Sequence, residues 1–291
     1  MIYLALTIFF NAILFIFFKV FPRYRIDNLQ AIVVNYWTCM VVGSILHGSF
    51  PVGAQSLSHA WLPWGLLMGI MFVSIFNLIA YSTVKDGITT TTVANKLSLV
   101  IPVVFAVFLY NEKLTALKIA GILIAFPAVY FTTRVKEDGK QGQSLLLPAL
   151  LFISSGLLDT LVTFVENKYI TDTNSLVIYT IHVFATAGIA GTIIATIVMI
   201  RTKTRLQYRN IVAGILLGIP NYFSIYYLVR LLNDGPLQSA AAITVNNIGI
   251  VLVSALCAIL VFKEKASPLR ILGLVLSLAA ILLTALGDIY G

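Results

Sequence analysis

Apolar residues in this chain gather into ten runs, at about 2–19, 30–48, 62–84, 88–110, 115–134, 145–166, 175–200, 210–232, 237–261 and 268–288. Each is of the length a helix needs to cross a bilayer, about 20 residues at a rise of about 1.5 Å apiece. Between the fifth and sixth runs, Val135 to Ser144 forms the longest strongly polar stretch and divides the chain almost in half. No run has the look of an extramembrane domain. The pattern predicts an all-α integral membrane protein with ten transmembrane helices joined by short loops.

Composition points the same way. The 291 residues are 59% apolar and only 10% charged, with a mean hydropathy of +0.98. A soluble domain carries roughly 45–50% apolar and about 25% charged residues, so a water-soluble fold is excluded. No basic stretch precedes the first run and no small-x-small cleavage site follows it, so residues 2–19 read as a retained span and not as a signal peptide. Cys39 and Cys257 lie within apolar runs and read as small core residues, neither a disulfide nor a metal pair.

The net charge of +8 would suggest nucleic acid in a soluble protein. Here the charges sit in short loops, and no nucleic-acid partner is expected. Connections 1–2, 3–4, 5–6, 7–8 and 9–10 hold 14 of the 19 Lys and Arg residues. The positive-inside rule then places those loops in the cytoplasm and both termini outside.

Internal similarity runs through the chain in order. The third and eighth spans open with Gly65-x3-Gly69 and Gly214-x3-Gly218, 149 residues apart, and end at Lys85-Asp86-Gly87 and Asn233-Asp234-Gly235, 148 apart. The fourth and ninth end in Asn111-Glu112-Lys113 and Lys263-Glu264-Lys265 at a separation of 152, which also sets Gly121 over Gly273 in the spans that follow. A net difference of four residues within the fourth and ninth spans accounts for the shift. The series implies a duplication: residues 1–134 form one five-helix repeat, 135–144 a linker and 145–291 the second repeat. Five is odd, so the second copy crosses the membrane in the opposite sense. Inverted repeats of this kind build secondary transporters, with the substrate site near the midplane.

Ionisable groups inside a span are expensive and face the bundle interior, which makes them functional candidates. Three qualify. Asp159 and His182 fall at similar depths, roughly 10 Å from the non-cytoplasmic face in adjacent antiparallel spans, close enough in depth to hydrogen-bond. As a pair they suit proton coupling, because histidine titrates near neutrality and a buried carboxylate can be raised toward it. The bland alternatives are a structural pair, or an Asp159 neutralised by Lys96. Lys96 lies roughly 12 Å from the cytoplasmic end of the fourth span, where a cation suits a substrate carboxylate or phosphate. Around the same level come Asn35, Asn77, Asn95, Asn221, Tyr222, Asn246 and Asn247, which mark a neutral polar cavity, although a single intramembrane Asn more often serves as interhelical glue. Pro102, Pro127, Pro148 and Pro220 are hinge candidates. The paired glycines read as helix-packing sites within the fold.

A Glu-Lys turn followed by a span beginning I-x-G-I-x-I in the first half and I-x-G-L-x-L in the second closes each half, and with ten spans the chain resembles the EamA-type branch of the drug/metabolite transporter superfamily. The resemblance implies a basket of helices in which four spans of each half surround a central cavity, with the fifth and tenth packed outside. It implies transport of metabolites such as amino acids, commonly outward. Members usually have both termini in the cytoplasm, opposite to the loop count. The stretch Ala94 to Pro102 is similar to the Asn-Lys motif of nucleotide-sugar transporters, where that motif belongs to the ninth span and not the fourth.

Nucleophile elbows, Gly-rich phosphate loops and zinc motifs are absent from the sequence, so neither a cofactor nor a metal is expected and the chain reads as no enzyme. The function expected is secondary transport of small polar metabolites across a bacterial inner membrane, as an exporter coupled to protons or to exchange, by alternating access of the two repeats. The partners are a small-molecule substrate, membrane lipid and H+, with the chain a monomer or homodimer. The alternatives are an intramembrane lipid-modifying enzyme, an exchanger of nucleotide sugars or phosphorylated metabolites, and a membrane receptor or scaffold.

Overall fold

The computed structural model describes residues 2–110, 115–133, 145–234 and 239–289. Among them every regular element is a helix, with no strand. The helices are α1 (Ile2–Val20), α2 (Asn28–His47), α3 (Leu62–Lys85), α4 (Ile88–Leu97), α5 (Val100–Tyr110), α6 (Ala116–Thr133), α7 (Leu146–Tyr169), α8 (Thr173–Thr202), α9 (Tyr208–Asp234), α10 (Ser239–Leu260) and α11 (Pro268–Ile289). Taking α4 and α5 as one interrupted span, ten are long and apolar enough to cross a membrane, and their limits follow the ten apolar runs. The protein is a multi-pass integral membrane protein.

Helix ends are set by local chemistry. Asp27 caps α2 by accepting from Gln30 N at 2.9 Å, and α2 stops at Gly48, whose φ of +78° suits a residue without a Cβ. Asp172 caps α8 through Ser175 N at 3.0 Å. Hydrogen bonds from Ser175, side chain first, hold the Asp172 carboxyl below the ordinary aspartate range. Large aliphatic and aromatic side chains such as Ile45, Phe108, Leu123, Ile193 and Leu256 are exposed on the helices, as a hydrocarbon surround requires.

The helices pack as two compact units. One comprises residues 1–19, 78–157 and 224–291, the other residues 20–77 and 158–223. Each draws on both sequence halves, so the halves expected from the duplication are interleaved along the chain.

In the first unit α6 and α11 form an antiparallel pair. A Cβ at Gly121 would lie 2.9 Å from Ala280 O, and one at Gly273 would lie 2.6 Å from Thr132 N and 3.0 Å from Ala128 O. The separation of 152 that sets Gly121 over Gly273 also sets Ala128 over Ala280 and Thr132 over Thr284. The contact is therefore reciprocal, each glycine lying on the two residues equivalent to those its counterpart touches.

The second unit repeats the arrangement. Helices α2 and α8 run antiparallel, with Gly43 against Ile181, Gly188 against Trp37 and Gly191 against Val33, and Trp37 Nε1 donates to Thr192 Oγ1 at 3.0 Å. Gly69 of α3 lies on Thr186 of α8, while its counterpart Gly218 of α9 lies on Asn35 and Thr38 of α2. Antiparallel pairing of equivalent helices is what an inverted duplication demands. All four glycines in the Gly-x3-Gly pairs are buried, and at three of them a Cβ would run into a neighbouring helix. Gly65 differs: a Cβ there would meet only Trp61, at 3.7 Å, while its carbonyl accepts from Thr186 Oγ1 at 2.9 Å.

Candidate functional site

Helix α4 begins at Gly87 and carries four consecutive threonines, all buried, before reaching Asn95 and Lys96. It stops one residue later. Pro102 has no N–H to offer the carbonyl of Ser98, four residues back, and Ile101 N donates to that carbonyl instead, at 2.9 Å. Ser98 Oγ turns back onto Asn95 O at 2.5 Å. The span expected to run unbroken over 88–110 is therefore interrupted at Ser98 and Leu99, next to the Asn-Lys pair. Gly156 of α7 makes room for the break, because a Cβ there would lie 2.8 Å from Ser98 O.

Asn95 donates to Ser155 Oγ of α7 at 3.0 Å, and Lys96 is half-buried. Helix α10 packs on α4 in the same unit. It brings Asn246, buried with its Oδ1 lacking a hydrogen-bond partner, and the half-buried Asn247. Asn95, Lys96, Asn246 and Asn247 thus fall on two packed helices of one unit. Broken helices with polar backbone at membrane depth are the places where transporters seat substrates.

The remaining sequence candidates lie in the second unit. Asn35 is fully buried and its Oδ1 accepts from Asn221 Nδ2 at 3.1 Å, so these two join α2 to α9. Asn77 donates to Val73 O within its own helix at 2.8 Å. Tyr222 is buried against Gly43 and Phe184. The hydrogen bond expected between Asp159 and His182 is not formed. His182 Nε2 lies 2.8 Å from Ser56 Oγ and Nδ1 lies 2.8 Å from Ile178 O, and Trp61 stands edge-on to the ring with centroids 5.1 Å apart. The loop after α2 supplies the partner that depth alone assigned to Asp159, whose side chain is exposed on α7.

A charged cluster in the first unit was not foreseen. Glu264, in the turn before α11, accepts from Ile88 N at 2.7 Å and from Thr89 Oγ1 at 3.1 Å, capping α4 from 176 residues away in sequence. Lys19 Nζ lies 3.6 Å and Arg270 3.7 Å from its carboxylate. Gly87 has φ of +95°, and a Cβ there would stand 2.8 Å from Glu264 Oε1, so the turn before α4 admits only glycine. Sequence reading met Glu264 and Gly87 as repeat markers; the signal of a site was the Gly-bounded turn opposite a Glu between two lysines. Among the described residues no three His, Cys, Asp or Glu side chains are grouped to hold a metal.

Residues 1–134, which include the whole of α4, match the EamA-like transporter family. The likeness to the EamA-like transporter family covers that half of the chain. EamA-like proteins are membrane transporters of the drug/metabolite transporter superfamily. The chain is also 23% identical over 270 residues to an uncharacterized protein of Haemophilus influenzae (strain ATCC 51907 / DSM 11121 / KW20 / Rd), with 90% of each chain covered. A solved crystal structure of a protein 14% identical in sequence matches with a TM-score of 0.57, over 96% of this chain and 97% of the other, a likeness in fold. The EamA-like half supplies Asn95, Lys96 and the threonines that Glu264 caps, whereas Glu264 itself comes from the other half.

Proposed function

We propose that this transporter moves small polar metabolites, amino acids or similar compounds, out across a bacterial inner membrane by alternating access of two inverted repeats, coupled to protons or to exchange. The observation that carries the reading is the interruption of the fourth span beside Asn95 and Lys96 in an EamA-like half. Lys96 supplies positive charge for a substrate carboxylate, and Asn95, Asn246 and Asn247 supply neutral donors and acceptors. Reciprocal antiparallel contacts in both packing units support the inverted duplication on which alternating access depends.

Purified protein in liposomes, screened for counterflow of labelled amino acids, sugars and nucleotide sugars, tests the reading. Lys96→Met is expected to lower the counterflow of an anionic substrate by about tenfold or more, since a hydrogen bond to a charged group contributes about 1.5–3 kcal/mol. Intact transport in this variant removes Lys96 from binding. Failure to move any solute while a lipid is processed favours an intramembrane enzyme. Preference for nucleotide sugars favours the exchanger, whose Asn-Lys motif the stretch at Ala94 to Pro102 resembles. The Asp159 and His182 assignment to proton coupling is tested in the same liposomes. Asp159→Asn is expected to flatten the response to an imposed pH gradient, and an unchanged response takes the pair out of the mechanism.

A further inference from the structure

Asp86 occupies the turn between α3 and α4, and the residue is 1% exposed. Its Oδ2 lies 3.1 Å from Ser82 Oγ. Ser82 Oγ in turn lies 2.9 Å from Thr91 Oγ1, and Thr91 donates to Gly87 O at 2.8 Å. Three links run in series, and each needs a hydrogen. The two hydroxyls supply only two. Thr91 uses its hydrogen on the Gly87 carbonyl, so Ser82 has one hydrogen for two acceptors, Thr91 and Asp86. The series closes when Asp86 carries a proton itself: Asp86 donates to Ser82, Ser82 to Thr91 and Thr91 to Gly87.

The second carboxyl oxygen tells the same story. Asp86 Oδ1 is buried without a hydrogen-bond partner, a heavy desolvation cost for an ionised carboxylate and a light one for the carbonyl of a neutral acid. The hydroxyls of Thr83 and Thr92, on the helices either side of the turn, are also buried without partners. Charges nearby come from α1, α3, the turn before α11 and α11 itself, namely Lys19, Lys85, Glu264 and Arg270. Lys19 and Arg270 both face Glu264, and Lys19 also donates to Thr83 O at 3.2 Å. Burial pushes the Asp86 carboxyl above the ordinary aspartate range, against the opposing pull of Ser82, Lys85 and Lys19. Neighbouring Glu264 takes the backbone N–H groups of Ile88 and Thr89 and faces both cations, so none of these partners is left for Asp86 Oδ1.

We propose that Asp86 is a proton-binding site of this transporter, taking up one proton on Oδ2 at the α3–α4 turn and releasing it to water when the Ser82–Thr91 series opens. Its use in coupling rests on the transporter reading above; its protonation does not.

Infrared titration of the full chain in lipid nanodiscs tests the protonation. Wild-type protein is expected to keep a carboxylic-acid C=O band at pH values above the ordinary aspartate value of 3.8. That band is lost in Asp86→Asn, retained in Asp86→Glu and shifted in frequency in Ser82→Ala, which removes its acceptor. A wild type with no such band overturns the proposal, as does a band that survives in Asp86→Asn or that disappears instead in Asp159→Asn.

Stability supplies a second measurement. Above its raised folded value Asp86 is ionised and buried, so the folded state bears a cost that the asparagine, a mimic of the protonated acid, does not. Asp86→Asn is therefore expected to melt higher than wild type at neutral and alkaline pH, with the difference closing as pH falls toward 3.8. A variant that melts lower at every pH counts against a neutral acid. In liposomes, a pH-gradient response retained by Asp86→Asn overturns the coupling role alone, whereas a wild type that moves no solute overturns the transporter reading and leaves the titration standing.

Discussion

Glu264→Ala is expected to destabilise the protein by about 3–5 kcal/mol, the scale seen when one partner is removed from a buried ion pair. The glutamate side chain is 8% exposed and that of Arg270 only 3%, so water does not readily replace what the carboxylate supplies. Three losses coincide. The first turn of α4 forfeits its acceptor at Ile88 N and Thr89 Oγ1, worth about 1 kcal/mol as a helix cap. Arg270 keeps its bond to Lys265 O at 2.9 Å but loses its counter-charge. Lys19, whose side chain is 23% exposed, contributes least. Glu264→Gln retains the acceptor and removes the charge, so it is expected to fall between wild type and alanine. Thermal unfolding in detergent, followed by intrinsic fluorescence, measures the series. A loss below about 1 kcal/mol for alanine would place the cluster with solvated surface pairs.

Valine at Gly121 or at Gly273 is expected to cost as much as overpacking usually does, about 1–3 kcal/mol, or more. At both positions backbone stands close behind a threonine side chain, Ala280 O at 2.9 Å in one case and Thr132 N at 2.6 Å in the other, and a helix backbone cannot step aside as a side chain can. The informative quantity is the ratio. Because the two glycines make equivalent contacts, their variants are expected to lower the melting temperature by similar amounts, while Gly65→Ala, facing only Trp61, is expected to change it little. One severe and one neutral variant would mean that the reciprocity of α6 and α11 is superficial.

How much of this was legible from residues alone differs between fold and site. Spans were easy, because about 20 consecutive apolar residues carry one meaning. The interruption after Lys96 was missed because hydropathy is blind to hydrogen bonds: Leu97, Leu99 and Val100 are as apolar as any neighbours, and only Pro102 signalled the break. Asn95 and Lys96 stood out because polarity inside a span is rare. Asp159 and His182 were matched by depth along the helix axis, but sequence leaves the rotation about that axis open, and Ser56, from a loop, meets the imidazole. Glu264 was hidden by its setting. A glutamate between two lysines in a loop reads as a solvated charge, and nothing local reveals that α4 starts beside it.

The contact of α6 with α11 has a consequence for association. A surface that meets its own equivalent around a twofold is the surface of a symmetric dimer. Were α6 and α11 on separate chains, the same contacts of Gly121 with Ala280 and of Gly273 with Ala128 would join them as like partners.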